Sequence, residues 1–324
     1  MRKKGIFYVC LIMAIAITTA GAAGSEETGD FPTKQISIVV PYNAGGASDT
    51  MTRVFAPEFA AALGDASVVV ENRSGGTGSV GLSYVNNSKP DGYTLLYLEI
   101  TATMIKYLGY TDVSAGDFIM LARTHVQPAA ITVKADSQWQ TLSDFVEYGM
   151  ENPGKITIGN AGTGSAWHVA AVHFEQNSDC SFTHVPFDGG APAAAALLGG
   201  NIDCVVTSVS EVQAGVESGD LKILAVLGDD RTSVYPNIPT AREEGYDVSF
   251  YAWGGFSVPV GTPDEVVDIL AKAAEKAATS EAVKKLCKER GYDFAFLNME
   301  DAESFKKSEM SKFEKIIPTL NLTK

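Results

Sequence analysis

Three glycine-rich turns, each joining a β-like run to a helix-like one, carry the chemistry of this sequence. The first is Pro41-Tyr42-Asn43-Ala44-Gly45-Gly46-Ala47-Ser48-Asp49. Its glycines let backbone N–H groups approach a ligand, and the helix that follows presents roughly half a positive charge at its N-terminus. Such a turn holds a carboxylate without Lys or Arg. Asp49 is an odd partner for an anion and is expected to cap the helix or hold the loop. The second turn is Gly159-Asn160-Ala161-Gly162-Thr163-Gly164-Ser165-Ala166-Trp167-His168. Ser165 stands at an N-cap position, where its hydroxyl either satisfies a helix N–H or joins the following N–H groups around an oxyanion. His168 reads as a satisfied structural histidine before a ligand, and Trp167 either lines a pocket or packs. The third is Val185-Pro186-Phe187-Asp188-Gly189-Gly190-Ala191-Pro192. One such turn is an ordinary connection; three exceed what connections alone require.

Other chemistries find no support. Gly76-Thr77-Gly78-Ser79-Val80-Gly81 matches G-x-G-x-x-G letter for letter. However, Asn72 to Gly75 separate it from the preceding strand, whereas a dinucleotide-binding turn follows its strand directly. There is no G-x-S-x-G, P-loop lysine, C-x-x-C or H-E-x-x-H. Ser165 and His168 are three apart, which is no triad by itself, and His168 and His173 are five apart, off the one-face spacing of paired ligands. No catalytic residue, metal or cofactor is expected.

The elements that position these turns alternate between strand and helix. Residues 35–41 and 67–71 are β-branched runs around a helix-like stretch at 48–63, which Gly64 is suited to stop. Pro57 should kink or split that helix. Pro90-Asp91-Gly92 is a turn before a strand at 93–98. The pattern restarts with β-like runs at 129–133, 155–159, 182–187, 202–207 and 221–226. Alternation of this kind means βαβ units around parallel sheets, here in two α/β lobes. Thr262-Pro263-Asp264-Glu265 reads as a capping box with Pro in the first turn, Ser280 and Gly291 bracket the next helix, and Asn298 and Pro318 the last. Open α/β sheets bind ligands beyond the carboxyl ends of their strands, so two facing lobes make a cleft there.

The chain has 324 residues, enough for two ordinary domains, with 45% hydrophobic and 20% charged residues, which argues for a globular protein. Asp and Glu exceed Lys and Arg by 39 to 25, and no basic cluster argues for nucleic acid or an anionic membrane surface. Met1-Arg2-Lys3-Lys4, the apolar run 5–19 and Ala20-Gly21-Ala22 read as a secretory signal peptide over residues 1–22, cut near Ala22. The run is short for a membrane span. Cys10 lies inside it without a lipoprotein cleavage pattern. Removing 1–22 leaves 22 basic and 39 acidic residues, a net of −17. Cys180, Cys204 and Cys287 remain; they are either buried small apolar groups, or two of them, Cys180 and Cys204, form a bridge in an oxidising compartment.

Taken in order, P-Y-N-A-G-G-A-S-D, V-V-V-E-N-R-S-G-G-T-G-S-V-G, P-D-G-Y-T-L-L, G-T-G-S-A-W-H-V-A, V-P-F-D-G-G-A-P-A, L-L-G-G-N-I-D, L-K-I-L-A-V, P-N-I-P-T-A-R-E-E-G-Y, W-G-G and G-T-P resemble the extracytoplasmic receptors of tripartite tricarboxylate transporters, the TctC or Bug family. Each motif is weak alone; the ordered set spans the whole mature chain. The resemblance implies an α/β, two-lobe type II periplasmic binding protein fold with a ligand cleft between lobes, of about 33–127 plus 250–324 and 128–249. It implies ligand contacts at Tyr42, Asn43, Ala44, Gly45, Gly46, Ala47, Ser48 and Asp49 on one side and Thr163, Gly164, Ser165, Ala166 and His168 on the other. Phe187, Asp188 and Gly189 complete the wall. Asp49 matches the family's loop-ordering aspartate. Tyr42, Ser74 and Ala196 stand where the family usually has Phe, Pro and Asp, and Pro57 is unusual; these departures bear on packing and pocket polarity.

The resemblance thus implies a monomeric periplasmic receptor, not an enzyme, that captures a small carboxylate, a di- or tricarboxylate or related organic acid, and delivers it to membrane permease subunits. Closure about strands near 126–130 and 249–254 is expected. The family spans tricarboxylates, dicarboxylates, acidic amino acids and aromatic acids, so the ligand stays open. Two other readings share the sequence features: a sensor subunit signalling carboxylate to a membrane kinase, and a periplasmic enzyme acting on a carboxylate, for which no positioned acid, base or nucleophile is seen.

Overall fold

A computed structural model describes residues 31–320; the signal peptide expected at 1–22 lies outside them. The architecture follows from one strand. β1 (Ile36–Val40) runs parallel to β2 (Val68–Asn72) and β3 (Thr94–Glu99), and β3 pairs antiparallel with β9 (Tyr251–Pro259). β9 pairs antiparallel with β4 (Phe118–Lys134), a strand of 17 residues. The first half of β4 also holds β10 (Asp293–Leu297). Its second half pairs antiparallel with β7 (Cys204–Ser208) and β8 (Leu221–Val226). β7 then continues through parallel pairs to β5 (Thr157–Asn160) and β6 (Thr183–Pro186). One strand therefore serves two sheets, and residues 126–128 of β4 face 251–253 of β9 where the sheets meet.

The sequence expectation of β structure at 129–133 covers only the second half of β4. The first half, FIMLARTHVQ, interleaves Arg123, Thr124, His125 and Gln127 with apolar residues, which hides a strand from a hydrophobicity reading. Central pairing on both edges is what keeps it extended.

Helices cover the sheets as their caps dictate. α1 (Ala47–Ala62) stays continuous through Pro57, against the expected kink. Pro57 and Arg53, whose carbonyl the missing N–H would have served, both lie on the exposed face, so that carbonyl is left to water rather than to the core. Gly64 follows with φ +73°, the left-handed stop that the sequence suggests. α1 buries Met51, Phe55 and Phe59 against Ile36, Ile38 and Val40 of β1 and against α8 (Asp264–Ala278) and α9 (Glu281–Arg290). α8 begins at Asp264 with Pro263 before it; the Thr262 hydroxyl donates to the Pro259 carbonyl at 2.8 Å instead of capping the helix. Ser280 and Asn298 do cap α9 and α10 (Met299–Ile316).

The second sheet is covered by α5 (Ala166–Asn177), α6 (Gly190–Leu198) and α7 (Val209–Glu217), with Ala193, Leu197, Val205, Val212 and Leu221 in one apolar cluster. α10 lies on β4: the Glu303 carboxylate accepts the Met120 N–H at 2.6 Å, and the buried Lys306 ammonium meets both Glu303 and the Phe118 carbonyl. Past α10, the Thr319 carbonyl accepts from Gln176 of α5 at 2.9 Å, tying the chain end to the other sheet's helices. Cys180, Cys204 and Cys287 are free and buried, so the bridge considered between Cys180 and Cys204 is not formed.

Phe55 is fully buried and stacks on Phe256 of β9 and on Phe59. Phe55→Ala is expected to cost about 3–5 kcal/mol, read as a lower urea midpoint with unchanged secondary structure by circular dichroism.

Candidate functional site

Where the two sheets meet, the structure forms a half-open chamber of 170 Å³. Ala47 and Ser48 enter it from the first turn of α1; Tyr97 and Glu99 from the end of β3; His125, Gln127, Ala252 and Trp253 from the paired strands β4 and β9; Ser208, Ser210 and Glu211 from the start of α7; and Trp167 from the start of α5. A wider space of 600 Å³ adjoins it, sharing Ala47, Ser210 and Glu211 and adding Gly45, Gly46, Thr50 and Ala191. The N-terminal ends of α1 and α6 thus border one cleft.

The first glycine turn is held from within. The buried Asp49 carboxylate accepts the Gly45 N–H at 2.8 Å, Arg53 Nε at 2.9 Å and Asn72 Nδ2 at 2.9 Å. Burial opposes its charge, but these donors outweigh burial and hold the carboxyl below its usual range. Gly45 has φ +83°, open to glycine at little cost. α1 receives no side-chain cap, so the N–H groups of its first turn remain for a ligand. Ser48 hydrogen-bonds the Tyr97 hydroxyl. Tyr42 turns away from the chamber's lining and donates its hydroxyl to Glu99. Asn43 and Ala44 are exposed on the loop.

The second turn is more self-contained. The Ser165 hydroxyl accepts the His168 N–H at 3.2 Å, and His168 Nδ1 accepts the Gly164 N–H at 3.0 Å. That bond assigns the imidazole proton to Nε2. Burial, then the neighbouring His184, push the His168 pKa down to about 4, with Glu175 opposing, so the ring is neutral at pH 7. Thr163 is exposed, and Gly164 packs beside the Tyr110 hydroxyl. Of this segment only Trp167 reaches the chamber. In the third turn Phe187, Asp188 and Gly189 lie outside the chamber lining, and the Phe187 ring instead approaches Gly159.

The anion-binding end of α6 is already occupied. Glu211 accepts from the Ser208 N–H at 3.1 Å and the Ser208 hydroxyl at 3.0 Å, and also from the Gly190 N–H and the Trp167 indole. A Cβ on Gly190 would run into this carboxylate, so glycine is required there for close approach. Burial raises the Glu211 pKa despite those donors. Glu99, which accepts from Tyr42 and from the Thr101 N–H at 3.1 Å, is raised by burial in the same way. His125 is fixed by Thr124, whose hydroxyl donates to the Gly254 carbonyl at 3.0 Å and takes His125 Nδ1–H at 2.8 Å, while Gln127 donates to Nε2 at 3.2 Å. Burial and Arg123 push its pKa down to about 3, so it too is neutral. No Lys or Arg lines the chamber.

Sequence reasoning missed Tyr97, Glu99, His125, Gln127, Ser208, Ser210, Glu211 and Trp253. Two signals were present: Glu99 interrupts an apolar strand, and Ser208 with Glu211 forms a capping box. The remainder come together only through long-range pairing, of β9 with β3 and β4 and of β4 with β7, the strand that leads into α7. Among the described residues no cluster of His, Cys, Asp and Glu is arranged to hold a metal, and no helix is long and apolar enough to cross a membrane.

Two α/β sheets sharing a strand, with a chamber at their junction, are the two-lobe type II periplasmic binding protein fold. The family model for the tripartite tricarboxylate transporter family receptor, TctC, matches residues 51–322, and the chain belongs to that family. It is 30% identical over 312 residues to a protein encoded in the tcbD–tcbE intergenic region of Pseudomonas sp. strain P51, covering 94% of this chain and 91% of that one. A TctC solute-binding protein from Polaromonas, solved without ligand, superposes with a TM-score of 0.80 at 34% identity, covering 89% of this chain and 99% of that one. MatC from Rhodopseudomonas palustris, solved with bound malate, superposes with a TM-score of 0.73 at 25% identity, covering 89% and 100%.

Both neutral histidines make the native state acid-sensitive. An unfolded histidine titrates near 6.5 and folded His168 near 4, so the unfolded chain takes up the proton first. Stability is full above about pH 6.5 and falls as pH drops, by about 2 kcal/mol from this residue at pH 5. Urea midpoints measured at pH 7 and pH 5 should show the decline, and His168→Gln should make it shallower.

Proposed function

We propose that this receptor captures a small carboxylate in the cleft and delivers it to the membrane permease of a tripartite tricarboxylate-type transporter. The observation that carries the reading is the uncapped first turn of α1, whose Ala47 and Ser48 line the chamber. Three N–H groups on a helix of 16 residues form an anion site by geometry alone. The malate held by the Rhodopseudomonas palustris neighbour is consistent with a carboxylate in this position. In this reading the loop from Tyr42 to Asp49 supplies the first contact. Trp167 and the turn from Thr163 to His168 form the opposing wall, with Phe187 to Gly189 at its edge. The lobes, 33–127 with 250–324 and 128–249, close about residues 126–130 of β4 and 249–254. Binding, not turnover, is the work of the cleft in this reading: His125 in the lining is neutral and spends both ring nitrogens on Thr124 and Gln127, and His168 nearby is neutral with its Nδ1 taken by the Gly164 N–H.

A monomeric, signal-cleaved protein in the periplasm completes the proposal. The net charge of the mature chain does not oppose it, because exposed charges beyond about 8 Å are screened at physiological salt while the helix end acts at contact.

Thermal melting of ligand-stripped protein with carboxylates and with the amides of the same skeletons tests the reading. An acid at 100 times its Kd stabilises by about 2.7 kcal/mol, a clear rise in Tm, and its amide should give none. Ala47→Pro supplies the matching variant. Proline fits the first helical position, and Gly46 before it is already extended (φ −74°, ψ 176°), so the fold is kept and one N–H is lost. Carboxylate affinity should fall about 10-fold or more, the scale of one hydrogen bond to a charge. Equal binding of acids and amides, or an unaffected Ala47→Pro, would refute the anion site.

A further inference from the structure

The three glycine turns do not offer three anion sites. Gly164 gives its N–H to His168, and Gly190 gives its own to Glu211. Among the described residues, only α1 keeps an uncapped first turn in contact with the chamber. The same chamber presents two carboxylates, Glu99 and Glu211, and no Lys or Arg in its lining; Arg290 lines the outer space, and Arg123 lies two residues before His125 on β4.

A dicarboxylate seated there would bring its second charge against two acids in a partly desolvated space, where like charges repel far more strongly than in water. An ammonium in that position meets two acceptors and the π faces available in a chamber bordered by Trp167 and Trp253. We propose that the ligand is an amino-carboxylate, with its carboxylate on α1 at Ala47 and Ser48 and its ammonium toward Glu99 and Glu211. This rests on the carboxylate reading above and narrows it to a zwitterion. The chamber has the volume of roughly six water molecules, sufficient for a small amino acid.

Both glutamates carry the geometry such a role needs. Each is partly buried yet borders the chamber, and each is immobilised by protein donors: Tyr42 and Thr101 for Glu99, Ser208, Gly190 and Trp167 for Glu211. A carboxylate held this firmly on its protein side cannot turn away from a like charge, so it sets the sign of the ligand group that enters. Burial raises both carboxyls, and a bound ammonium would restore their charged forms.

Isothermal titration of ligand-stripped protein at pH 7.5 with matched pairs tests this: succinate against 4-aminobutanoate, and glutarate against 5-aminopentanoate. At least one amino member should bind tenfold or more tightly than its dicarboxylate partner. In Glu99→Gln and Glu211→Gln, checked for folding by circular dichroism, that ratio should shrink by about tenfold, with dicarboxylate binding unchanged or stronger. Wild-type protein that prefers the dicarboxylate in both pairs overturns the amino-carboxylate assignment and leaves carboxylate capture standing. Binding of neither member of either pair, together with no response in the acid and amide panel, overturns both. The wild-type pairs decide the matter even if a glutamine variant does not fold.

Discussion

The cleft exists because β4 hydrogen-bonds in two sheets. Its first half lies between β9 and β10, its second between β7 and β8, and no other strand links the two halves as continuously. Neither sheet can slide along β4 without breaking a ladder, so the register of the two sides along that strand is set by backbone bonding. The chamber sits on this crossing: His125, Gln127, Ala252 and Trp253 come from β4 and β9 around the point where the sheets meet. A strand buried on both edges tolerates polar side chains only when each finds a partner. That is why Thr124, His125 and Gln127 form a closed chain of hydrogen bonds ending on Gly254 and Ser210.

Glycines around the site serve two different ends. At Gly45 the positive φ shapes a loop that Asp49 then holds. At Gly190 and Gly254 the lack of a side chain lets Glu211 and Tyr97 come against the backbone. The literal G-x-G-x-x-G run shows both uses: Gly76 (φ +54°) and Gly78 (φ +93°) are left-handed, and Gly78 packs on the Tyr42 ring and Gly81 on Pro41, bracing the first loop from behind. A glycine pattern that looks like a nucleotide turn thus serves to support the first glycine loop.

Electrostatically the site is built from dipoles and neutral rings. Both histidines near it are kept uncharged by burial, and the carboxylates are surrounded by N–H and O–H donors. Without Lys or Arg in the chamber lining, the proposed carboxylate contact falls to oriented backbone N–H groups at the start of α1. In this chain Glu99 and Glu211 line the same chamber, and the amino-carboxylate proposal rests on them.

The residues by themselves determined much. Strand-to-helix alternation, helix caps at Ser165, Ser280 and Asn298, the stop at Gly64 and the loop-holding part of Asp49 were all legible, because each depends on neighbours within a few positions. The ordered motifs were sufficient to indicate the family. What only the tertiary structure decided was which turns remain open. Glu211 is 21 residues from Gly190, and Glu99 is 57 from Tyr42, so no local pattern reports that one fills a helix end and the other takes a phenol. The first half of β4 was equally hidden, since its polar residues are stabilised by partners on both edges that the chain supplies more than a hundred residues later. Local rules specify which groups can bind an anion; long-range packing determines which of them the protein has already used itself.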